Sequence, residues 1–289
     1  MDSSGDDDHH KVKPDSSIEA EGNGGMRNVT ALGVVSFFTD FSTEMVLGVL
    51  PLFIVSSLGA SRAILGVIEG SSELTSYAFR MVSGSLSDKV GKRKIFIFAG
   101  YSLSTITKPF LAASSGWLDA FVVRFGDRMG KGLRTAPRDA LIADSVQESR
   151  AGKAFGLHRT IDQIGAIIGP VAAFALLQFM DIRGIFLISL IPGAVAVLIL
   201  VFFVKEVAIK RSLTRTNILS NIDRVIRGNR PFVLLLIITG IFGIGAFNFS
   251  FILLRASDLG IADNFIPLVY ATINVAHTAI GDTFWHICR

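Results

Sequence analysis

Long apolar runs recur along this 289-residue chain and limit its possible folds more than any other feature. A helix that crosses a membrane needs about 20 consecutive, mainly apolar residues. By this measure the sequence predicts spans at about 29–57, 62–86, 94–113, 117–142, 154–179, 184–204 and 232–254, and another that begins near Phe265. Because lipid offers the peptide backbone no hydrogen bonds, such runs favour helices. The predicted fold class is therefore all-α and multi-pass transmembrane, surrounded by the lipid bilayer.

Composition and charge exclude several other classes of protein. Hydrophobic residues make up 50% of the chain, and its mean hydropathy of +0.53 is too high for an ordinary soluble domain. The formal net charge of +4 is modest, and no basic face is interleaved with aromatic residues, so no nucleic-acid partner is expected. The single cysteine, Cys288, rules out an internal disulfide framework. No metal and no other cofactor is predicted.

Four regions of different composition follow one another along the chain. The first residues are acidic and rich in Ser and Gly, and a segment with so few apolar residues cannot bury enough surface to order itself. The connection after the sixth span has an apolar and a basic helical face, which predicts either an interfacial helix or a plain amphipathic linker. The regions are a disordered acidic N-terminal tail (1–27), a six-helix N-terminal bundle (28–205), a cytoplasmic linker (206–231) and an incomplete C-terminal bundle of about two helices (232–289).

The distribution of lysine and arginine predicts how the chain is oriented. Basic loops stay on the cytoplasmic side of a membrane. Bases cluster after the second, fourth and sixth spans, whereas the loops predicted on the other side hold only Arg62, Arg183 and Arg255. The excess predicts a cytoplasmic N-terminus in a plasma-membrane protein.

Acidic residues inside the first two spans are the first candidates for function. Asp40 and Glu44 are four residues apart, as are Glu69 and Glu73, so each pair lies on one helix face. An ionised side chain at the centre of a membrane helix costs about 2.5–3.5 kcal/mol on insertion scales, so facing lipid unpaired is unfavourable. These acids are therefore expected to face a polar interior.

The fourth span carries a complementary basic stripe. Arg124, Arg128, Lys131 and Arg138 recur at helical spacing. If the stripe faces the acids, the interior is a water-accessible cavity whose bases meet an anionic group; the alternative is a fixed lattice of salt bridges. The candidates for binding protons or cations are Asp40, Glu44, Glu69, Glu73, Asp127 and Asp162.

A motif between the second and third spans carries a resemblance to a known family. Residues 84–94 read G-S-L-S-D-K-V-G-K-R-K, and the spacing G-x-L-S-D-K-x-G-K-R-K resembles the loop between the second and third helices of major facilitator superfamily transporters. Two glycines, Gly84 and Gly91, are expected to let the backbone turn tightly, since glycine adopts positive φ without steric cost.

The resemblance implies a latch at the cytoplasmic side. In that family the Asp of this loop caps a helix of the second bundle and pairs with nearby bases. Carried over, Asp88 is the cap, Lys92 or Arg93 bridges toward Asp144, and Arg150 is the arginine of the following basic loop.

Two further stretches resemble the same family. The fourth span begins R-F-G-D-R-M-G-K-G, similar to the family's fourth helix, whose early arginine, implicated in proton coupling, corresponds to Arg124. The fifth span contains Gly165-x-x-x-Gly169-Pro170, similar to a motif associated with exchangers in the family. Physically, small residues let helices approach closely and proline permits a bend. The many charges in span four look like one charge-rich prokaryotic branch.

The resemblance also implies a function and a larger architecture. Members have twelve helices in two similar halves, with a substrate site between them near the bilayer midplane. The expected activity is secondary active transport of a small molecule by alternating access, coupled to protons and operating as efflux or exchange. The substrate is expected to carry an anionic group, and the protein is expected to be a monomer.

Two alternatives remain beside the transporter. The sequence covers about eight predicted helices and ends at Asp282–Arg289 without a stop-transfer cluster, so a shifted reading frame near Gly281 and a transport-incompetent fragment are both considered. An intramembrane enzyme has less support, because no H-E-x-x-H or G-x-S-x-G motif occurs. No enzymatic activity is predicted.

Overall fold

A computed structural model describes residues 16–207, 228–245 and 248–287, and in these ranges every regular element is a helix. The all-α prediction is confirmed. The helices are α1 (Ser16–Leu47), α2 (Leu50–Leu52), α3 (Arg62–Val90), α4 (Arg93–Thr107), α5 (Trp117–Ser145), α6 (Ala151–Leu176), α7 (Ile182–Ile188), α8 (Leu190–Phe203), α9 (Arg230–Gly245), α10 (Phe249–Asp258) and α11 (Ile266–Ile287). One π turn (Phe53–Ser57) and 3₁₀ turns at Lys108–Ala113, Glu148–Arg150 and Asp263–Phe265 join or extend them.

The predicted spans one to six correspond to a helical bundle built from α1 to α8. Helix α1 packs along α6, while α3 and α4 both pack against α5, and α8 closes the bundle by contacting α1 and α4. The seventh predicted span corresponds to α9 and α10, and the eighth to α11, which packs along α6.

Two apolar clusters lie at different heights in this bundle. Along α1, one cluster uses Val29, Leu32 and Val35, and the other begins at Met45 and continues through Ile54. The stretch of α1 between them carries polar side chains, several of them buried. A polar layer therefore lies at mid-height between two apolar layers, and the candidate site residues project from it.

The outward faces of the helices are apolar. On α3, Val67, Leu74 and Met81 are 64–71% exposed and recur every seven residues, or about two helical turns. Glu69, on another face of the same helix, is only 4% exposed. Such an inverted pattern, with apolar residues outside and charges inside, suits a protein whose outer solvent is lipid.

Only part of the described helices can be identified as membrane spans by length and hydropathy alone. Three segments qualify in the described ranges: Gly24–Ser57, Arg93–Ala113 and Ile182–Phe203. Helices α3 and α5 fall outside this criterion because they carry many ionisable side chains, which the bundle turns inward.

The structure corrects two predictions. Helix α1 begins at Ser16, so residues 16–27, assigned to a disordered tail, are helical; Glu and Ala in this segment are strong helix formers. The turn predicted at both Gly84 and Gly91 occurs only at Gly91, whose φ is +75°. Gly84 lies inside α3, where a Cβ atom would stand 3.2 Å from that of Ala136 on α5, so this glycine allows close packing.

Some predictions fall on residues outside the described ranges. The helix considered for the linker falls within residues 208–227, and most of the predicted acidic tail falls within residues 1–15, both outside the described residues.

The two ends of the bundle differ in charge. We call one the basic end, defined by Lys89, Lys92, Arg93, Lys94, Arg150, Lys153 and Lys205, and the other the opposite end, defined by Arg62, Asp181 and Asp258.

Candidate functional site

The polar layer contains charged side chains from four α-helices and one 3₁₀ turn, and we call it the charged layer. Its members lie on α1, α3, the 3₁₀ turn after α4, α5 and α6. They are Asp40, Glu44, Glu69, Glu73, Lys108, Arg124, Asp127, Arg128, Lys131 and Asp162.

Arg124 is the centre of the most deeply buried part of this layer. Its Nε and Nη2 donate to the two oxygens of Glu69 at 3.2 and 3.0 Å, and its Nη1 donates to Asp127 at 3.2 Å. The hydroxyl of Ser104 donates to the other Asp127 oxygen. All three charged residues are at most 4% exposed. Since a buried ion is costly unless it is paired and hydrogen-bonded, the three depend on one another.

A second ion pair lies nearer to water. Arg128 Nη1 is 3.5 Å from Glu73 Oε1, and the Glu73 side chain is 42% exposed while that of Arg128 is 4% exposed. The i, i+4 acids of α3 therefore meet successive arginines of α5, one pair buried and the other with a partly exposed acid.

The remaining bases of the predicted stripe separate into two environments. Lys131 lies within electrostatic range of Glu73 and Asp40. Arg138 lies closer to the basic end, where it donates to Asp139 Oδ1 at 3.0 and 3.1 Å and to Ser36 Oγ at 3.3 Å. Arg138 is therefore not paired directly with the acids of α3.

The hydroxyl of Ser36 links three helices near Arg138. Besides accepting from Arg138, Ser36 Oγ is 2.9 Å from the Tyr101 hydroxyl and 2.9 Å from His158 Nε2. The Tyr101 ring also lies under the Arg134 guanidinium, 4.7 Å from its centroid. This polar network joins α1, α4, α5 and α6.

Two carboxyl groups from different helices meet at the α1–α6 interface. Asp162 lies next to Asp40, and one of its oxygens accepts from Arg159 at 3.1 Å. The Asp162 side chain is 5% exposed, whereas Arg159 is 63% exposed. The sequence named both acids as candidates, and the structure brings them together.

Residues after the linker also reach the charged layer. The Tyr270 hydroxyl on α11 lies next to the Glu44 carboxylate, and the Asn248 side chain, at the start of α10, lies next to Glu69. One Glu44 oxygen is buried without a hydrogen-bond partner among the described residues. Sequence reasoning missed Tyr270 and Asn248; each is an isolated polar residue in an apolar span, which was the available signal.

Lys108 is a further buried base of the charged layer, with no role in the sequence predictions. Its side chain is 2% exposed, and its ammonium donates to Ser42 Oγ at 2.8 Å and Thr43 Oγ1 at 3.0 Å on α1. A single lysine followed by proline within an apolar span was the sequence signal for this bridge between the end of α4 and α1.

The predicted latch residues divide into a connected and an unconnected group. Arg93 contacts Asp144 at 2.7 Å and Asp88 at 3.3 Å, so Arg93 rather than Lys92 bridges toward Asp144. Lys92 and Arg150 are exposed, and within the described part of the chain neither forms an ion pair.

Glu206, which sequence reasoning missed, completes this corner of the bundle. Its carboxylate accepts from the backbone N–H of Arg93 at 3.0 Å and of Lys94 at 2.8 Å, where α4 begins. In return, Lys94 Nζ donates to the carbonyls of Val201 and Val204 at the end of α8. The Glu206 carboxylate thus accepts from unpaired N–H groups at the start of α4, and the Lys94 ammonium donates to unpaired carbonyls at the end of α8. Each charge has the sign that the helix dipole favours at that end.

The Gly165, Gly169 and Pro170 motif lies where α6 crosses α1. An added Cβ at Gly169 would stand 2.7 Å from the Phe41 carbonyl oxygen, and one at Gly165 would clash with the Phe37 carbonyl. Pro170 is buried inside α6. The two glycines allow the backbones to approach closely enough for Asp40 and Asp162 to meet.

Contacts between the first bundle and helices α10 and α11 lie at the opposite end and at mid-height. Arg62 Nη2 donates to both oxygens of Asp258 at 2.6 and 2.8 Å. Lower down, Asn274 Nδ2 donates to the Ala166 carbonyl at 2.9 Å. An apolar cluster that includes Phe53 and Leu253 fills the space between these polar contacts.

Known proteins share both the sequence pattern and the fold. A transporter named MJ1317 from Methanocaldococcus jannaschii, described as an uncharacterized member of the MFS type, is 36% identical over 271 residues, covering 89% of this chain and 65% of that protein. The multidrug resistance protein MdtH of Photorhabdus laumondii is 26% identical, covering 73% and 50%. The chain thus spans half to two thirds of the length of these relatives.

A solved structure has the same helical architecture. A bacterial homologue of the human lysosomal transporter Spinster superposes with a TM-score of 0.68 at 18% identity, covering 86% of this chain and 60% of that one. The family model of the Major Facilitator Superfamily matches residues 32–281. The protein therefore belongs to the major facilitator superfamily and is a multi-pass membrane protein.

Proposed function

We propose that the chain is the transport unit, or part of it, of a secondary active transporter that moves a small molecule by alternating access. The observation that carries this proposal is the charged layer: acids of α1, α3 and α6 and bases of α5 face one interior at mid-height. Two similar halves around a midplane site are the general design of such transporters. Transport, and not catalysis, is the activity proposed.

The two ends of the molecule are proposed to act as alternating gates. The Arg62–Asp258 pair and the apolar cluster beneath it join the two parts of the chain at the opposite end. The basic end is proposed to face the cytoplasm of the plasma membrane, in keeping with the positive-inside rule. Arg93, Asp88 and Asp144 are proposed as a latch at that end, with Lys92 and Arg150 supplying nearby positive charge.

Proton coupling is proposed to centre on Asp40 and Asp162. Two neighbouring carboxyl groups repel when both are ionised, so a low-dielectric interior favours a proton shared between them. Glu44, with one unpartnered oxygen, is the proposed second carrier of a proton or cation. Glu69, Glu73 and Asp127 are proposed to balance the positive charge of the arginines around them.

The substrate is proposed to be a small molecule with an anionic group, exported or exchanged against protons by a monomer. Arg128 and Lys131 stand beside the accessible Glu73 and offer the positive charge that an anionic group needs. Support for export comes from two relatives, the multidrug resistance protein MdtH and the multi-drug resistance efflux pump PmrA of Streptococcus pneumoniae, the latter 27% identical over 147 residues.

Everted membrane vesicles test this proposal. With an imposed pH gradient read by a fluorescent weak base, a panel of organic anions and cations is added to vesicles that contain the full chain. We expect at least one compound to dissipate the gradient, and the Asp162→Asn variant to reduce the initial rate at least tenfold, because the proton-sharing pair is lost.

Glu148→Gln is the matched control, since Glu148 is an exposed acid outside the charged layer. It should keep the wild-type rate. Folded protein that responds to no compound contradicts transport by this chain and supports the transport-incompetent fragment instead. Flux that persists unchanged in Asp162→Asn contradicts the proposed coupling site.

A further inference from the structure

A cavity at the basic end lies outside the charged layer, and Asp144 and Arg150 of the proposed latch form part of its wall. Its volume is about 820 Å³, within the roughly 300–1,000 Å³ typical of small-molecule pockets. It lies between residues 24–28 of α1, the loop after α5 and the end of α8. The polar residues that matter in its wall are Arg27, Asn28, Asp144, Arg150, Lys205 and Glu206.

The buried side-chain amide of Asn28 joins the segments that line this cavity. Asn28, 6% exposed, donates from Nδ2 to Ser145 Oγ at 2.9 Å and to the Lys205 carbonyl at 3.2 Å, and accepts from the Lys205 N–H at 2.9 Å. These bonds therefore fix α1 at Asn28 relative to the ends of α5 and α8. A ligand meets a preformed site and need not order the helices that surround it.

The charges in the wall are not balanced. Both acids already have partners, since Asp144 contacts Arg93 at 2.7 Å and Glu206 accepts from two backbone N–H groups of α4. The three bases, Arg27, Arg150 and Lys205, are exposed, and none forms an ion pair with another described residue. Positive charge is therefore available to an anion that enters the cavity.

The cavity also adjoins a surface suited to lipid chains. Phe202 and Phe203 line it at the end of α8 and are 75% and 62% exposed. Exposed phenylalanines at the end of a membrane helix offer an apolar surface to the lipid acyl chains, and bases at the membrane surface attract anionic lipids. Apolar and positive surfaces thus meet in one cavity at the depth where a phospholipid has its phosphate.

We propose that this cavity binds the phosphate of an anionic phospholipid, with Arg27, Arg150 and Lys205 around the headgroup and the acyl chains beside Phe202 and Phe203. A free phosphate ion shares the same anionic chemistry but has no acyl chains to place on the aromatic surface. The lipid is therefore the proposed occupant.

Native mass spectrometry of the full chain in detergent tests the proposal with dioctanoylphosphatidylglycerol as probe. Arg27→Gln/Lys205→Gln should weaken binding of this lipid about thirty-fold, because each base near an anionic headgroup contributes about 1 kcal/mol and 1.4 kcal/mol corresponds to a factor of ten. Lys89→Gln/Lys153→Gln removes the same charge from the same end but outside the cavity, and should change the affinity less than twofold.

Several results of this experiment would overturn the proposal. Equal affinity for dioctanoylphosphatidylcholine, or equal weakening in both double variants, overturns the site. If inorganic phosphate binds as tightly as the lipid, and its binding is lost in the same variant, the lipid is overturned as the occupant. If Arg27→Gln/Lys205→Gln does not fold, Lys205→Gln alone takes its place. This single variant should bind the lipid about fivefold more weakly. An unchanged affinity would contradict the proposal.

Discussion

Replacing Arg124 by glutamine is expected to lower the free energy of unfolding by about 3–5 kcal/mol, because it leaves Glu69 buried without its counter-ion and removes the 3.2 Å ion pair of Asp127, which keeps only the longer contact to Arg128 at 4.0 Å among the described ion pairs. Both acids are at most 4% exposed and share this one guanidinium, at 3.0–3.2 Å. Water does not reach them to compensate the lost charge. Thermal unfolding of the purified protein in detergent, or unfolding by denaturant in lipid bicelles, measures the change.

A double-mutant cycle separates the ion pair from other effects of the substitution. Glu69→Gln combined with Arg124→Gln should destabilise the protein less than the sum of the single changes, by about 1–3 kcal/mol, since residues in one network do not act additively. Arg255→Gln is the control: Arg255 is exposed and should change stability by at most about 0.5 kcal/mol. Additive single effects contradict a coupled buried network.

Replacing Gly169 by leucine is expected to separate α1 from α6 and prevent the bundle from forming a stable core. A Cβ atom at this position would stand 2.7 Å from the Phe41 carbonyl oxygen and 3.1 Å from the Met45 nitrogen, both backbone atoms that no side-chain rotation can move. Overpacking of a buried contact costs about 1–3 kcal/mol and occasionally more, and a backbone clash belongs at the upper end. The yield of monodisperse protein after detergent extraction and its thermal midpoint measure this loss.

Gly156→Leu provides a control on the same helix. No heavy atom lies within 4 Å of a Cβ added at Gly156, so this change should leave yield and thermal midpoint close to wild type. If both variants lose yield and thermal midpoint to a similar degree, the cause is leucine in α6 in general. That result would contradict the close crossing of α1 and α6.

The sequence predicted the helices and the inward direction of their charges because both follow from the bilayer. Charges at i, i+4 on α3 and at helical spacing on α5 leave few favourable arrangements when the outer solvent is lipid. Glu69 with Arg124 and Glu73 with Arg128 are the pairs that result. A bilayer also explains why a composition criterion alone identifies α1, α4 and α7–α8 as spans and omits α5.

Other contacts depend on which helices are neighbours, which spacing within one span does not reveal. The carboxylate of Glu206 caps α4 across more than a hundred residues of sequence, and Tyr270 reaches Glu44 from beyond the linker. Lys108 bridges to α1 only because α4 ends beside Ser42 and Thr43. Gly84 was misassigned because a helix can continue through glycine when a neighbouring helix, here α5, packs closely against it.

Aqueous accessibility at two neighbouring positions of α3 tests most directly whether the charged layer faces water and the outer face of the helix contacts lipid. Glu73, 42% exposed in its side chain, lies at the rim of the charged layer, and Leu74, 71% exposed, lies on the outer face. In a Cys288→Ser background, Glu73→Cys should react with a charged, membrane-impermeant thiol reagent in bilayers, because the reactive thiolate forms only in contact with water. Leu74→Cys should stay unlabelled; labelling of Leu74→Cys together with protection of Glu73→Cys would contradict the account.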